Sequence, residues 1–278
     1  MDHEILKKPK SIFDAHMHYY GKFMKENETL IEFMNRFGID KAIVTTLKIS
    51  ANQNLLLQTH EKIDEKQYAE NLYAKKQYNH DIVKGLISKN PHRLYGFYWF
   101  NPKIASDSDW ELLEKYLTEY NFKGVKTQTS LDNLDLSNDM DRLAEFCIER
   151  DVPLYFHSGV NFFFQEPFRT KYLYDFLKKY KELKFIIGHA AFTMEYMISL
   201  LRYFQGFPNV YYETSLSVPY GINVLIKTMG KDKVIYGSDS PAATTPDIEI
   251  QKIKTLNLDP EVEHLIFYEN ISKLIGVD

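Results

Sequence analysis

The chain has 278 residues, 44% of them hydrophobic and 26% charged, with a formal net charge of −4 and a mean hydropathy of −0.38. No apolar stretch approaches the roughly 18 residues of a membrane-spanning helix, and lysines and acids alternate instead of forming the basic stripe that nucleic acid requires. A lone cysteine, Cys147, excludes a disulfide framework and reads as a buried core residue on a helix face. Met1 to Lys10 is charged and lacks the apolar segment of a secretory signal, so a cytoplasmic location is expected. The expected partner is a small-molecule substrate, neither nucleic acid nor membrane, and a homo-oligomer such as a dimer stays open.

Taken in order, short β-branched or aromatic runs alternate with stretches of helical spacing. The expected strands are Ser11 to Ala15, Lys41 to Thr46, Leu94 to Phe100, Gly124 to Thr127, Pro153 to His157, Lys184 to Gly188, Val210 to Glu213 and Lys233 to Gly237. The expected helices are Glu28 to Phe37, Tyr68 to Ser88, Trp110 to Tyr120, Met140 to Arg150, Thr170 to Tyr180, Met194 to Phe204, Ile222 to Met229 and Pro260 to Ile275. Eight of each, in a chain near the typical length of about 250 residues, predict a single-domain (β/α)8 TIM barrel, a parallel sheet closed by crossover helices. A doubly wound sheet would carry a Gly-rich loop after its first strand, where this chain has His16-Met17-His18. The polar insertion Leu47 to Asn71 follows the second strand and reads either as a lid or as a solvated helical extension.

The chemistry gathers at strand ends. On a strand, residues i and i+2 point to one side, roughly 7 Å apart, so His16 and His18 can converge on one ion. In a chain with nine histidines an H-x-H alone is weak. His157 after Leu154 to Phe156, and His189 after Phe185 to Gly188, each read alone as a hydrogen-bonded core histidine, and Asp239 as a helix N-cap. The conjunction carries the argument, because a barrel opens all its strand C-termini onto one face. Three imidazoles and a carboxylate with a position left open suit Zn2+ or a similar divalent ion. Gln128, Ser158, Asn161, Tyr19 and Tyr20 follow strand ends and touch either substrate or loop backbone. Trp99 and Phe100 read as core or pocket wall, and His60, His80, His92 and His264 need no metal.

Several segments together resemble the amidohydrolase superfamily, and within it the amidohydrolase-related branch of metal-dependent barrel hydrolases and decarboxylases. They are Phe13 to His18, Asn90 to Phe97 with Asn101-Pro102, Phe122 to Lys126, Pro153 to His157, Phe185 to His189, Asn209 to Ser215, Ile235 to Asp239 and Glu269 to Gly276. The resemblance implies His16, His18, His157 and Asp239 as ligands of one divalent metal, most simply Zn2+, with Mn2+ or Fe2+ as alternatives. It also implies Asp239 as proton acceptor and His189 as a contact to substrate or nucleophilic water. Lys126 is either carboxylated, bridging a second metal, or a positive charge for an anionic substrate, with Glu213 as an acid that would accompany it in a buried site. The activity implied is hydrolysis of an amide, lactone or other ester. The rival is non-oxidative decarboxylation of an aromatic or unsaturated acid, with Lys126, Lys48 or Arg169 holding the carboxylate; a non-catalytic metal-binding protein is the third reading.

Overall fold

The computed structural model describes residues 9–47, 78–128, 132, 134–158 and 170–277. Eight parallel strands pair in sequence order: β1 (Phe13–His18), β2 (Lys41–Thr45), β3 (Leu94–Trp99), β4 (Phe122–Gln128), β5 (Leu154–His157), β6 (Phe185–Gly188), β7 (Val210–Glu213) and β8 (Val234–Ile235). The ring closes through backbone bonds from Ala15 N to Tyr236 O at 3.0 Å and from His18 N to Ser240 O at 2.7 Å, with a parallel bridge between Met17 and Ser240. This is the (β/α)8 barrel the alternation predicts.

Outside the ring lie α1 (Leu30–Phe37), α2 (His80–Lys89), α3 (Asp107–Glu119), α4 (Asp141–Glu149), α5 (Thr170–Lys179), α6 (Met194–Phe204), α7 (Pro219–Met229) and α8 (Pro246–Lys254). The starts of several follow local chemistry. Thr29 and Glu32 form a capping box at α1, Ser106 and Asp109 another at α3, and prolines open α7 and α8. Outward strand residues such as Val44, Val125, Phe156 and Ile187 form one core with the helices. Inward ones such as Ile43, Phe97, Tyr155, Ile186 and Ile235 fill the barrel. No helix among the described residues is long and apolar enough to cross a membrane.

Two differences from the sequence reading matter. The helix after the last strand is α8; the stretch Pro260 to Ile275 is instead α9 (Pro260–His264), a π-helical turn (Leu265–Glu269) and α10 (Asn270–Ile275). Its Ile266 carbonyl accepts from Tyr236 N, so this segment packs on the closing strand and, through Ile271, Leu274 and Ile275, on the inward core residues. Helix α8 has nine residues whose buried face includes Ile250, Ile253 and the polar Glu249, too faint a stripe to stand out in sequence. The second difference is β1, which runs three residues past Ala15 and so carries His16 and His18 in the strand itself, across an irregularity in its pairing with β2 between Asp14 and Met17. The insertion Leu47 to Asn71 lies, after Leu47, outside the described residues, as do Tyr68 to Tyr73, Lys48, His60, Asn161 and Arg169.

Candidate metal centre

The C-terminal ends of β1 and β8 are stitched together, and the stitching sets the site. Asp14, fully buried, accepts from His16 N and Ser238 N through one oxygen, both at 3.0 Å. Asp239 N in turn donates to His16 O at 2.7 Å. Asp239 and His189 each adopt a left-handed backbone, φ 57° and 55°, which costs free energy at a non-glycine residue and persists only where neighbours impose it. For His189 the imposing group is Glu213, whose Oε2 accepts from His189 N at 3.1 Å and whose carbonyl accepts from Ala190 N at 3.0 Å.

His16, His18 and Asp239 present ligand atoms within 4.8 Å of one another, and all three are buried. Asp239 Oδ1 lies 3.0 Å from His18 Nε2 and 3.4 Å from His16 Nε2. Opposite, Lys126 sends its ammonium 2.7 Å from His16 Nε2 and over the rings of Trp99 and Tyr155, at 5.3 and 5.1 Å. His157 joins none of the ligand groups of three; its Nδ1 meets His189 Nε2 at 3.1 Å. His189 Nε2 stands 4.0 Å from Asp239 Oδ2. Thus the structure brings His16, His18, Asp239 and Lys126 into one cluster, joined through His16 to a second group with His189 and Glu213, and His157 stands at the edge, paired with His189.

The hydrogen-bond network assigns tautomers, and the assignment tests whether a cation fits. His18 Nδ1 faces Thr46 O at 3.2 Å, and a carbonyl only accepts, so Nδ1 carries the proton. Nε2 of the neutral ring is then a bare lone pair pointed at a carboxylate oxygen. Tyr155 donates to Glu213, so its oxygen accepts from His16 Nδ1–H at 2.8 Å, and His16 Nε2 is left as an acceptor that the Lys126 ammonium meets at 2.7 Å. His189 Nδ1 faces Ser215 O at 3.1 Å and its Nε2 takes the proton of His157 Nδ1, which leaves the other nitrogen of His157 unengaged by this bond. Two acceptors, His18 Nε2 and Asp239 Oδ1, therefore face each other without a proton between them, and His16 Nε2, which accepts from the Lys126 ammonium at 2.7 Å, turns to the same carboxylate oxygen. A divalent cation fits that donor set.

The electrostatics agree. Burial, then the charge of Lys126, lowers the pKa of His16 to about 3 and lowers that of His18, keeping both imidazoles neutral. The same two causes, with the neighbouring His189, hold His157 well below its ordinary value. Burial works to raise Asp239, but its contacts with His16, His18 and His189 outweigh it and hold the carboxylate well below the usual range. Lys126, stripped of water, falls to about 8, with Asp239, Glu213 and Asp132 opposing the fall.

The other sequence candidates separate. Ser158 is buried with its hydroxyl on Gly188 O, Gln128 is buried at the end of β4, and Tyr20 is exposed. Trp99 donates its indole N–H to Asp132 at 2.7 Å and borders a cleft with Tyr98 and Phe100, so it is both core and wall. His80 is buried, stacked on Tyr98 and bonded to Trp99 N, and His264 stacks on Tyr268, as their structural readings require. Cys147 is fully buried. The sequence reading missed Tyr155 and Ser215, which touch His16 and His189 directly.

A barrel whose strand ends gather buried histidines, an aspartate and a lysine at one mouth is a barrel with a candidate divalent-metal site. Residues 13–277 match the sequence model of the amidohydrolase family, and the chain belongs to that family. Among curated proteins no sequence match is found. Solved structures share the fold. A 5-carboxyvanillate decarboxylase from Sphingomonas paucimobilis superposes with a TM-score of 0.66 at 12% identity, covering 96% of this chain and 99% of that one. A 2,6-dihydroxybenzoate decarboxylase from Rhizobium does so at 0.64 and 16%, covering 96% and 98%. A 5-carboxyvanillate decarboxylase from Novosphingobium aromaticivorans, solved with manganese, gives 0.63 and 19%, covering 92% and 81%.

Proposed function

We propose that the protein is a divalent-metal-dependent hydrolase acting on a small carbonyl compound, an amide, a lactone or another ester. The observation that carries this reading is the facing of two unprotonated acceptors, His18 Nε2 and Asp239 Oδ1 at 3.0 Å, with His16 Nε2 3.4 Å from the same oxygen, at the C-terminal mouth of the barrel. In this reading His16, His18, His157 and Asp239 hold one ion, with Zn2+ the first choice for three imidazoles and a carboxylate and Mn2+ or Fe2+ as alternatives. When bound, such an ion activates water and polarises a carbonyl. Asp239 accepts the proton of the attacking water, since its carboxylate is held ionised among neutral imidazoles. His189, whose Nε2 accepts from His157 Nδ1 and lies 4.0 Å from the second Asp239 oxygen, takes that proton once its bond to His157 is released and passes it towards the leaving group. Lys126 is unmodified, a fixed positive charge that stabilises negative charge developing on the substrate oxygen. The protein is expected to work in the cytoplasm, alone or as a homodimer.

Loss of His189 separates the two halves of this scheme. The variant His189→Ala is expected to keep the metal of the wild type and to lose about 10²–10⁴-fold in rate, the usual contribution of an acid–base group. Metal analysis beside a rate assay checks it; loss of metal as complete as in His16→Ala would move His189 into the ligand set.

The second reading is non-oxidative decarboxylation of an aromatic or unsaturated acid. It is supported by the barrels of similar fold that are themselves decarboxylases and by the ammonium of Lys126 beside His16. A panel of lactones, amides and aromatic acids, followed by acid release in one arm and carbon dioxide release in the other, separates the readings: turnover confined to the acids replaces the hydrolase by the decarboxylase.

A further inference from the structure

Glu213 is fully buried at the end of β7, yet Lys126, the cation whose companion it was expected to be, is not its direct partner. Its Oε2 accepts from Tyr155 Oη at 2.8 Å, from Ser215 Oγ at 2.8 Å and from His189 N at 3.1 Å, and its Oε1 accepts from Ser215 N at 2.6 Å. Two of these donors lead onward. Tyr155 Oη, having given its proton to Glu213, accepts from His16 Nδ1, and Ser215 Oγ, having done the same, accepts from His189 Nδ1 at 2.8 Å. One carboxylate therefore terminates two short chains, Glu213–Tyr155–His16 and Glu213–Ser215–His189.

Room for this pair is made by one glycine at the end of β6 and another just past the end of β8. A Cβ at Gly188 would overlap the Tyr155 hydroxyl, and a Cβ at Gly237 would overlap the Glu213 carboxylate. A tyrosine serving only to fill the barrel would not need its hydroxyl accommodated in this way, nor directed onto a buried acid.

We propose that Tyr155 and Glu213 are positioning residues that fix His16 as the Nδ1–H tautomer, with Nε2 aimed at the cation, while Glu213 through the Ser215 hydroxyl adds to the hold that the Ser215 carbonyl already has on His189 Nδ1. The inference rests on the metal-site reading above and adds the device that orients two of its histidines. Metal-ligating imidazoles commonly donate their second N–H to a carboxylate or carbonyl, and here a tyrosine hydroxyl is interposed between ring and acid. With an acceptor of fixed direction on Nδ1, His16 pays no tautomeric or rotational cost when it takes a cation. Because the two chains share Glu213, changes at that acid reach both His16 and His189.

The test uses Tyr155→Phe, which keeps the ring and removes the hydroxyl, and Glu213→Gln, which keeps the volume and removes the charge. Zn2+ alone is titrated into each protein against a competing chelator, and the ring nitrogens of the metal-free proteins are read by 15N NMR. The expected result is a roughly 10–100-fold weaker affinity for Zn2+ in Tyr155→Phe, with the unfolding midpoint near that of the wild type. His16 should lose its single-tautomer signature in both variants, while His189, whose Nδ1 also faces the Ser215 carbonyl, should keep it in both. Zn2+ affinity within about twofold of wild type in Tyr155→Phe, with His16 still in the Nδ1–H form, would overturn the proposal. If Tyr155→Phe does not fold, Glu213→Gln decides by the same two readings. A wild type that binds no Zn2+ sinks the metal reading, and the NMR arm still rules on the relay.

Discussion

Asp239→Asn is expected to fold as the wild type does and to lose both metal and turnover. Asparagine is among the residues that tolerate the left-handed backbone found at position 239, so the substitution adds no main-chain strain. What it removes is charge. The amide cannot offset the positive field of a cation placed between His16 and His18, and it cannot take a proton from water. Metal affinity should fall by more than the roughly 10–100-fold that loss of an outer partner costs. The rate at saturating metal should fall by about 10²–10⁴-fold, the usual contribution of an acid–base group. Equilibrium titration with Zn2+ and a rate assay measure the two losses separately. Near-normal values of both would remove Asp239 from the centre of the scheme.

Gly237→Ala should produce a large loss of stability from a small change in composition. The added methyl would run into Glu213 Oε1, Cδ and Cγ, and that carboxylate cannot swing aside because four donors hold it and no solvent reaches it. Overpacking of this kind costs about 1–3 kcal/mol. Relief by displacing Glu213 would break the bonds to Tyr155 and Ser215, so weaker metal binding should accompany the lower unfolding midpoint. Gly85 in α2 supplies the contrast, since nothing lies within 4 Å of a Cβ built there. Gly85→Ala should raise stability by about 0.5–1 kcal/mol, the helix preference of Ala over Gly. Thermal unfolding of the two variants measured side by side checks both signs. Equal midpoints would show that Glu213 is free to move.

The site was legible in sequence to the extent that strand ends were. His16, His18, His189 and Asp239 each end a short apolar run, and a parallel barrel brings such ends to one face, so their convergence follows from topology before any contact is known. Lys126 was legible on the same ground. Position along a strand, though, says nothing of which nitrogen a histidine turns to its neighbour, and this is why the pairing of His157 with His189 was not foreseen. Tyr155 was hidden because an aromatic in the middle of a buried strand has the pattern of core, as Tyr95, Tyr98 and Tyr212 do. Glu213 was noticed as an acid near Lys126, while its actual partners lie on β5 and just past the ends of β6 and β7. A signal for the pair did exist. Glycine stands directly before His189 and two residues before Asp239, and a glycine beside a buried strand end marks a place where another group approaches closely. The eighth helix was misplaced for a different reason: the longer C-terminal stretch has the stronger apolar pattern because it packs on the closing strand and the inward core residues.

The most direct test of the account is the metal content of the protein purified without chelator and without a histidine tag, read by elemental mass spectrometry beside the protein concentration. About one equivalent per chain of Zn, Mn or Fe is the expected result, bound between His16, His18, His157 and Asp239 with Lys126 unmodified. About two equivalents would contradict the single-ion site and require a carboxylated Lys126 bridging a pair; no metal, with none taken up from added Zn2+ or Mn2+, would contradict the central claim itself.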